Sequence, residues 1–247
     1  MWKRSWRGQV LAFHLAGINN QNFIMRDEQT GSFWQQVTGT AISGPLKGAK
    51  LELVPSDELS FALWKSESPS GLVLAPDARF AADYETSDWE KHIGKLPVSS
   101  KLTFDAIPPR ETVIGINVNG EARAYPVVKI IQQSPLEDSV GALPVLLAVG
   151  PDHLSVRAFI RRIPPGDQPA EFFSPPVSET AAVAGSEPSS PQNTWKLLDS
   201  STGSEWNFQG CAFSGPAQGK CLEPVTFLKD FWFDWHHYHP DTTVYNH

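Results

Sequence analysis

Residues 25–54 read MRDEQTGSFWQQVTGTAISGPLKGAKLELV, and residues 197–225 read LLDSSTGSEWNFQGCAFSGPAQGKCLEPV. With one residue deleted after the Trp, the stretches align: Asp27 with Asp199, Thr30 with Thr202, Ser32 with Ser204, Trp34 with Trp206, Gly44 with Gly215 and Leu51 with Leu222. The likeness continues from 55–74, PSDELSFALWKSESPSGLVL, to 226–245, TFLKDFWFDWHHYHPDTTVY, where Trp64 meets Trp235, Pro69 meets Pro240 and Val73 meets Val244. Self-similarity of this kind marks an internal repeat. The expected fold is α+β and strand-dominated, with two related units from an internal duplication. Each would be a small twisted sheet or partial barrel with short helices.

Working outward, the first unit covers 1–76 and lacks an N-terminal half that the second, 107–247, possesses. Both repeat halves read as strand, turn, strand, loop, short helix, strand. The GPLKG turn joins strands over Thr40 to Ser43 and Lys50 to Val54, and helices fall over Phe61 to Lys65 and Phe231 to His237, ahead of Pro69 and Pro240. In the second unit VIGINV and EARAYP flank Asn119-Gly120, a dipeptide suited to the positive φ angles of a type I′ hairpin. Pro126 opens a short helix through Val127, Ile130 and Ile131, and a second hairpin turns at Gly150 to His153. The stretch at about 164–191, dense in Pro, Ser, Ala and Glu, reads as a flexible insertion. A connector, 77–106, would be anchored by Tyr84 and Trp89.

A formal net charge of −7 argues against a surface that tracks nucleic-acid phosphates. No run approaches the roughly 18 apolar residues of a membrane span. The start, MWKRSWRGQVLAFHLAG, is basic but interrupted by His14 and shows no convincing cleavage site, so no export signal is expected in it. The two cysteines, Cys211 and Cys221, flank the turn SGPAQG, and their counterparts in the first copy are Thr40 and Lys50. Two residues gained together suggest a disulfide, which needs Cα atoms within about 4.4–6.8 Å. Two separate thiols are the alternative. A disulfide would imply an oxidising compartment.

The strings RDEQTGSFWQQVTGTAISGPLKGAKLELVP, ETVIGINVNGEARAYP and HPDTTVY resemble the bacterial family designated domain of unknown function 3179, over nearly the whole chain except the Pro/Ser stretch. The resemblance implies an extracytoplasmic protein. It also implies a His-Glu-x-Val-Asn-Asp stretch and a Cys-Pro-Leu-Cys segment after the AYP motif. This chain has Gln132, Gln133, Ser134, Pro135, Leu136, Glu137 and Asp138 in place of the first, and Val149, Gly150, Pro151, Asp152 and His153 in place of the second. Gln and Gly do not replace a thiolate or imidazole as soft ligand or nucleophile, so the second unit reads as chemically degenerate. The first unit begins at a hairpin like the one that follows the missing segment in the family, and a truncated member is the expectation.

Among the remaining polar residues, Gln35 and Gln36 beside Trp34 are the first candidate ligand contacts, since amides give directional hydrogen bonds in a groove. Asp27 and Trp34, with Asp199 and Trp206, read better as turn and core residues. Arg123 and Tyr125 are candidates because an Arg fork binds a carboxylate; a half-exposed strand end is the plain alternative. His236, His237 and His239, with His247 nearby, have spacing that suits Zn²⁺ or Cu²⁺, although histidines in a last helical turn also suit the helix dipole. His14 reads as a core histidine.

The expected function is a non-catalytic binding or structural module with no cofactor. The alternative is a metal- or thiol-dependent redox protein, its active segment upstream of Met1 or rebuilt from His14, His153 and the His236 to His239 cluster. A carbohydrate-binding lobe using Trp and Gln ranks below both. If Cys211 and Cys221 are bridged, the intact mass rises by about 2 Da on reduction; an unreduced protein that titrates with two free thiols refutes the pairing.

Overall fold

The computed structural model describes residues 1–19, 22–84, 88–98, 107–175 and 195–246. Within residues 1–76, which the sequence sets apart as a first unit, β1 (Ser5–Trp6) and β2 (Gln9–Val10) form a two-stranded ribbon. An antiparallel sheet follows in chain order, from β3 (Phe13–Asn19) and β4 (Asn22–Asp27) to β5 (Phe33–Gln35) and β6 (Ala41–Ser43). Helix α1 (Phe61–Glu67), a 3₁₀ turn at Ala78–Phe80 and α2 (Trp89–Ile93) lead onward.

The second unit opens with β7 (Thr112–Val118) and β8 (Glu121–Pro126), then α3 (Val127–Gln133), β9 (Leu136–Val140), β10 (Leu143–Val149) and β11 (Val156–Ile160). Next come β12 (Phe172–Phe173), β13 (Leu197–Asp199), β14 (Glu205–Trp206) and β15 (Ala212–Ser214). It closes with β16 (Leu228–Phe231), α4 (Trp232–Tyr238) and β17 (Thr243–Val244). Its three sheets have strand orders β16-β7-β8-β17, β11-β10-β9 and β12-β13-β14-β15. The architecture is strand-rich α+β.

The turn sequences explain the strand pairings. Asn119 and Gly120 take φ of 53° and 93°, and the Gly120 amide donates to Asn117 Oδ1, closing β7 onto β8. In the TGS turn after β4, buried Asp27 accepts from the Thr30 amide at 2.6 Å and from Trp34 Nε1 at 2.7 Å. In the turn after β13, Asp199 accepts from the Thr202 amide and from Trp206 Nε1 at 2.9 Å. Ser32 Oγ accepts from the Leu46 amide, and Ser204 Oγ accepts from the Ala217 amide. A Cβ on Gly44 or Gly215, both at positive φ, would lie 2.7 Å from the Cα of Ser32 or Ser204. The GP turn therefore rests directly on the TGS turn, and only glycine permits that approach. Each Trp also receives a Phe edge-on, Phe13 at 5.8 Å and Phe172 at 5.6 Å.

Burial alone would raise the pKa of Asp27 and Asp199, but the hydrogen bonds from Trp and Thr outweigh it and hold both below the usual carboxylate value. Cys211 and Cys221 face each other across an antiparallel bridge and are joined by a disulfide, with Cα atoms 4.0 Å apart. Thr40 and Lys50 form the matching bridge in the first unit.

Several expectations need correction. The first unit forms no closing strand. Its Leu72 and Leu74 are 94% and 96% exposed, whereas β17 pairs in parallel with β8. The strand expected over Lys50 to Val54 reduces to single bridges, Thr40 to Lys50 and Trp2 to Leu53. Tyr84 and Trp89 are exposed and anchor no core, and His14 points outward from β3. The expected flexible insertion starts too early, because Ala170 and Phe172 pack in the core around Trp206. Its remainder, 176–191, lies outside the described residues. Strand β9, which pairs with β10, was not anticipated.

Helix α1 joins residues 1–76 to the C-terminal part of the chain. Leu63 inserts among Leu146, Ala148, Phe159 and Phe208 of the second unit. The Ser60 amide donates to Ser155 Oγ, whose hydroxyl donates to Asp152, and burial is overcome so that the Asp152 pKa falls to about 2. Arg157, its side chain 8% exposed, donates both arms of its guanidinium to Glu67, at 2.9 and 2.8 Å, and contacts Asp57 at 2.6 Å. Replacing Arg157 by Leu strands Glu67, which is itself largely buried, and is expected to cost about 3–5 kcal/mol in urea unfolding. A loss under about 1 kcal/mol would mean that the guanidinium does not hold the units together.

Candidate functional site

Docking of α1 on the second unit leaves a cleft of about 480 Å³ between the units. From the first unit it is lined by Trp2, Asn22, Gln36, Lys50 and Leu53, and from the second by Asn117, Phe227, Asp230, Trp235 and His239. The Trp2 indole donates to the Gln36 carbonyl at 2.6 Å, which fixes the strand end that presents Gln36. Gln35, next along the chain, points the other way into the protein, where its Oε1 accepts from Thr38 Oγ1 at 2.9 Å. The two glutamines thus part company, and Gln36 faces the cleft.

His239 lies against the Trp235 ring with centroids 4.0 Å apart, and its Nδ1 is 3.1 Å from the Asn117 amide nitrogen. An amide nitrogen only donates, so Nδ1 accepts and the ring proton of neutral His239 sits on Nε2. Burial, reinforced by the Lys50 charge, lowers the His239 pKa and keeps the ring neutral at pH 7. The other two histidines take separate surroundings: His236 packs on Trp232 at 4.8 Å, and His237 meets Tyr238 edge-on. Among the described residues no group of three or more His, Cys, Asp or Glu side chains is placed to hold a metal ion.

Arg123 and Tyr125 belong to an internal network. Arg123 Nε lies 2.6 Å from Asp138 Oδ2, Tyr125 donates to the same carboxylate at 3.1 Å, and Arg123 also covers the Tyr245 ring. The fork that the sequence offered to a ligand carboxylate is engaged by Asp138. Tyr125 is fully buried, and that burial, with the Asp138 charge, raises its pKa.

The structure adds residues that the sequence reading passed over. Asp230, near the end of β16, lines the cleft, and Asp234, in the first turn of α4, lies beneath it, its Oδ2 accepting from Asn22 Nδ2 at 2.6 Å. The repeat held the signal: the residues of the first copy aligned with this pair are Leu59 and Leu63. Carboxylates at positions where the aligned stretch has leucine depart from the core pattern. Burial, then the neighbouring Asp234 charge, pushes the Asp230 pKa up to about 8, and burial raises Asp234 as well.

The sign of the pH dependence follows. An acid raised on folding favours the native state below its unfolded pKa, near 3.8, and loses that contribution as pH rises through its folded value of about 8. Asp27 and Asp199, lowered on folding, act oppositely and weaken the fold only as pH drops below about 4. Thermal melts are expected to show Tm falling between pH 5 and 8, and Asp230→Asn is expected to flatten that slope. An unchanged slope in the variant assigns the effect to another group.

The family described as "Protein of unknown function (DUF3179)" has a model that matches residues 1–242 of this chain. No curated protein and no solved structure matches it. With a family model spanning nearly the whole sequence, including the repeated TGS and GP turns and both walls of the cleft, the chain belongs to the DUF3179 family.

Proposed function

We propose that this chain is a non-catalytic binding module that holds a small polar ligand in the cleft between its two units. The carrying observation is the composition of that cleft. Gln36, Lys50, Asn117 and His239 offer amide, ammonium and imidazole donors beside the apolar surfaces of Leu53, Phe227 and Trp235. A few convergent polar groups on an apolar lining, at a boundary between units, describe small-molecule sites in general. The α1 anchor supports a preformed cleft, because Arg157 and Leu63 fix one wall against the other.

The matched Asp–Thr–Ser–Trp turns, the paired Phe–Trp contacts and the Thr40–Lys50 and Cys211–Cys221 bridges support a duplicated origin for the units. The disulfide suits an oxidising compartment and supports an extracytoplasmic location. Both cysteines of the chain are joined in that bond, so neither offers a free thiol. No helix among the described residues is long and apolar enough to cross a membrane.

Trp2 and Trp235 line the cleft and report on its contents. A panel of mono- and disaccharides, amino acids and small carboxylates, screened by Trp fluorescence and thermal shift, is expected to contain at least one binder. Gln36→Ala and His239→Phe should each weaken it about tenfold, the loss of one good hydrogen bond of about 1.4 kcal/mol. Leu53→Trp, which fills the cleft, should abolish binding. A binder unaffected by all three variants places the site elsewhere and overturns the proposal.

A further inference from the structure

Beneath the cleft, oxygen acceptors from both units meet without enough donors. Asn22 comes from the start of β4, Asp230 from β16 and Asp234 from α4. Asn22 spends its Nδ2 on Asp234 Oδ2, which fixes the orientation of the amide and leaves its Oδ1 as an acceptor only. That Oδ1 is buried and receives no hydrogen bond; the same is true of Asp234 Oδ1, on a residue only 4% exposed. The carboxyl groups of Asp230 and Asp234 lie within hydrogen-bonding reach of each other. One shared proton satisfies a single acceptor and leaves the other bare.

We infer that Asp230, Asp234 and Asn22 form a binding site for a hard divalent cation of the Mg²⁺ or Ca²⁺ class at the floor of the cleft. Two carboxylates and an amide oxygen are the hard donors such ions select, and histidine or thiolate donors of the kind that select zinc or copper are not among the three. Three protein oxygens leave coordination positions open, and Asp230 borders the cleft, so water or a bound molecule can complete the shell.

The charged groups around the site agree. Glu58, itself paired with Lys229, adds negative charge beside Asp230, while the charges of Arg110 and His237 favour ionised Asp234. The bare oxygens thus lie where the two carboxyl groups approach each other. The inference stands apart from the small-molecule proposal, because its three ligands are not those assigned to the polar ligand.

The test is titration of the full chain, stripped with EDTA, with CaCl₂ or MgCl₂ by calorimetry and thermal melting at pH 6.5 and 7.5. One ion per chain and a raised Tm are expected with at least one of the two cations. Asp230→Asn is expected to be at least as stable as the native chain in EDTA, the carboxylate repulsion being gone, yet blind to the cation. Asn22→Leu is a second variant on the opposite wall and should weaken binding about tenfold or more.

The absence of heat and of Tm change with both cations overturns the site. So does a cation response that survives in Asp230→Asn. Repeating the fluorescence titration of the polar ligand in EDTA reads failure of the cation site and failure of the cleft separately.

Discussion

The guanidinium of Arg157 anchors the segment that joins the two walls of the cleft. It is buried in the second unit, stacks on Phe208 and meets two carboxylates of the first unit, Glu67 and Asp57. Burial by itself would lower its pKa, and the hydrogen bonds and charges of those partners more than reverse that. A charge so enclosed is tolerable only while its counter-ions stay in place, so the segment carrying Asp57 and Glu67 is not free to swing. That constraint seats Leu63 in the second unit's core, and the neighbouring Lys229–Glu58 pair, at 2.6 Å, extends the same line of contacts toward Asp230. These ion pairs act together with the Asn22–Asp234 hydrogen bond at the floor of the cleft to hold its two walls.

Within each unit a different device acts, a carboxylate used as a pin. Asp27 and Asp199 each tie a turn amide, a Thr hydroxyl and a Trp indole to one buried charge. The indole is thereby fixed in rotation as well as in depth, and the Phe edge that meets it has a defined surface to pack against. A core organised around a polar pin can remain small, which suits strands of two or three residues such as β5, β6, β13, β14 and β15.

What was legible in the sequence was whatever local chemistry determines. Asn119-Gly120 announced a hairpin because few dipeptides accept its φ angles. The pairing of Cys211 with Cys221 was visible because both differ together from the sister copy. The closing strand of the first unit failed for a nonlocal reason: Val244 extends along β8, and Val73 finds no corresponding edge among the described residues. Arg123 looked available because a sequence does not show that Asp138 returns on β9 to meet it. Gln35 and Gln36 were equivalent as letters; Gln35 ends β5 with its side chain buried, whereas Gln36 opens the turn that follows and is exposed. Asp230 and Asp234 were overlooked because they lie in an aromatic run that reads as core; only their replacement of Leu59 and Leu63 betrays them.

The bridge that closes each GP turn is covalent in one unit and not in the other. Ten residues separate the two sulfurs along the chain. A single backbone break within 212–220 therefore leaves both new ends tethered to the same rung, whereas the same break within 41–49 leaves them joined by noncovalent contacts alone. The second unit's turn is built to survive a cut, and the chain's tolerance of damage is set by which copy receives it.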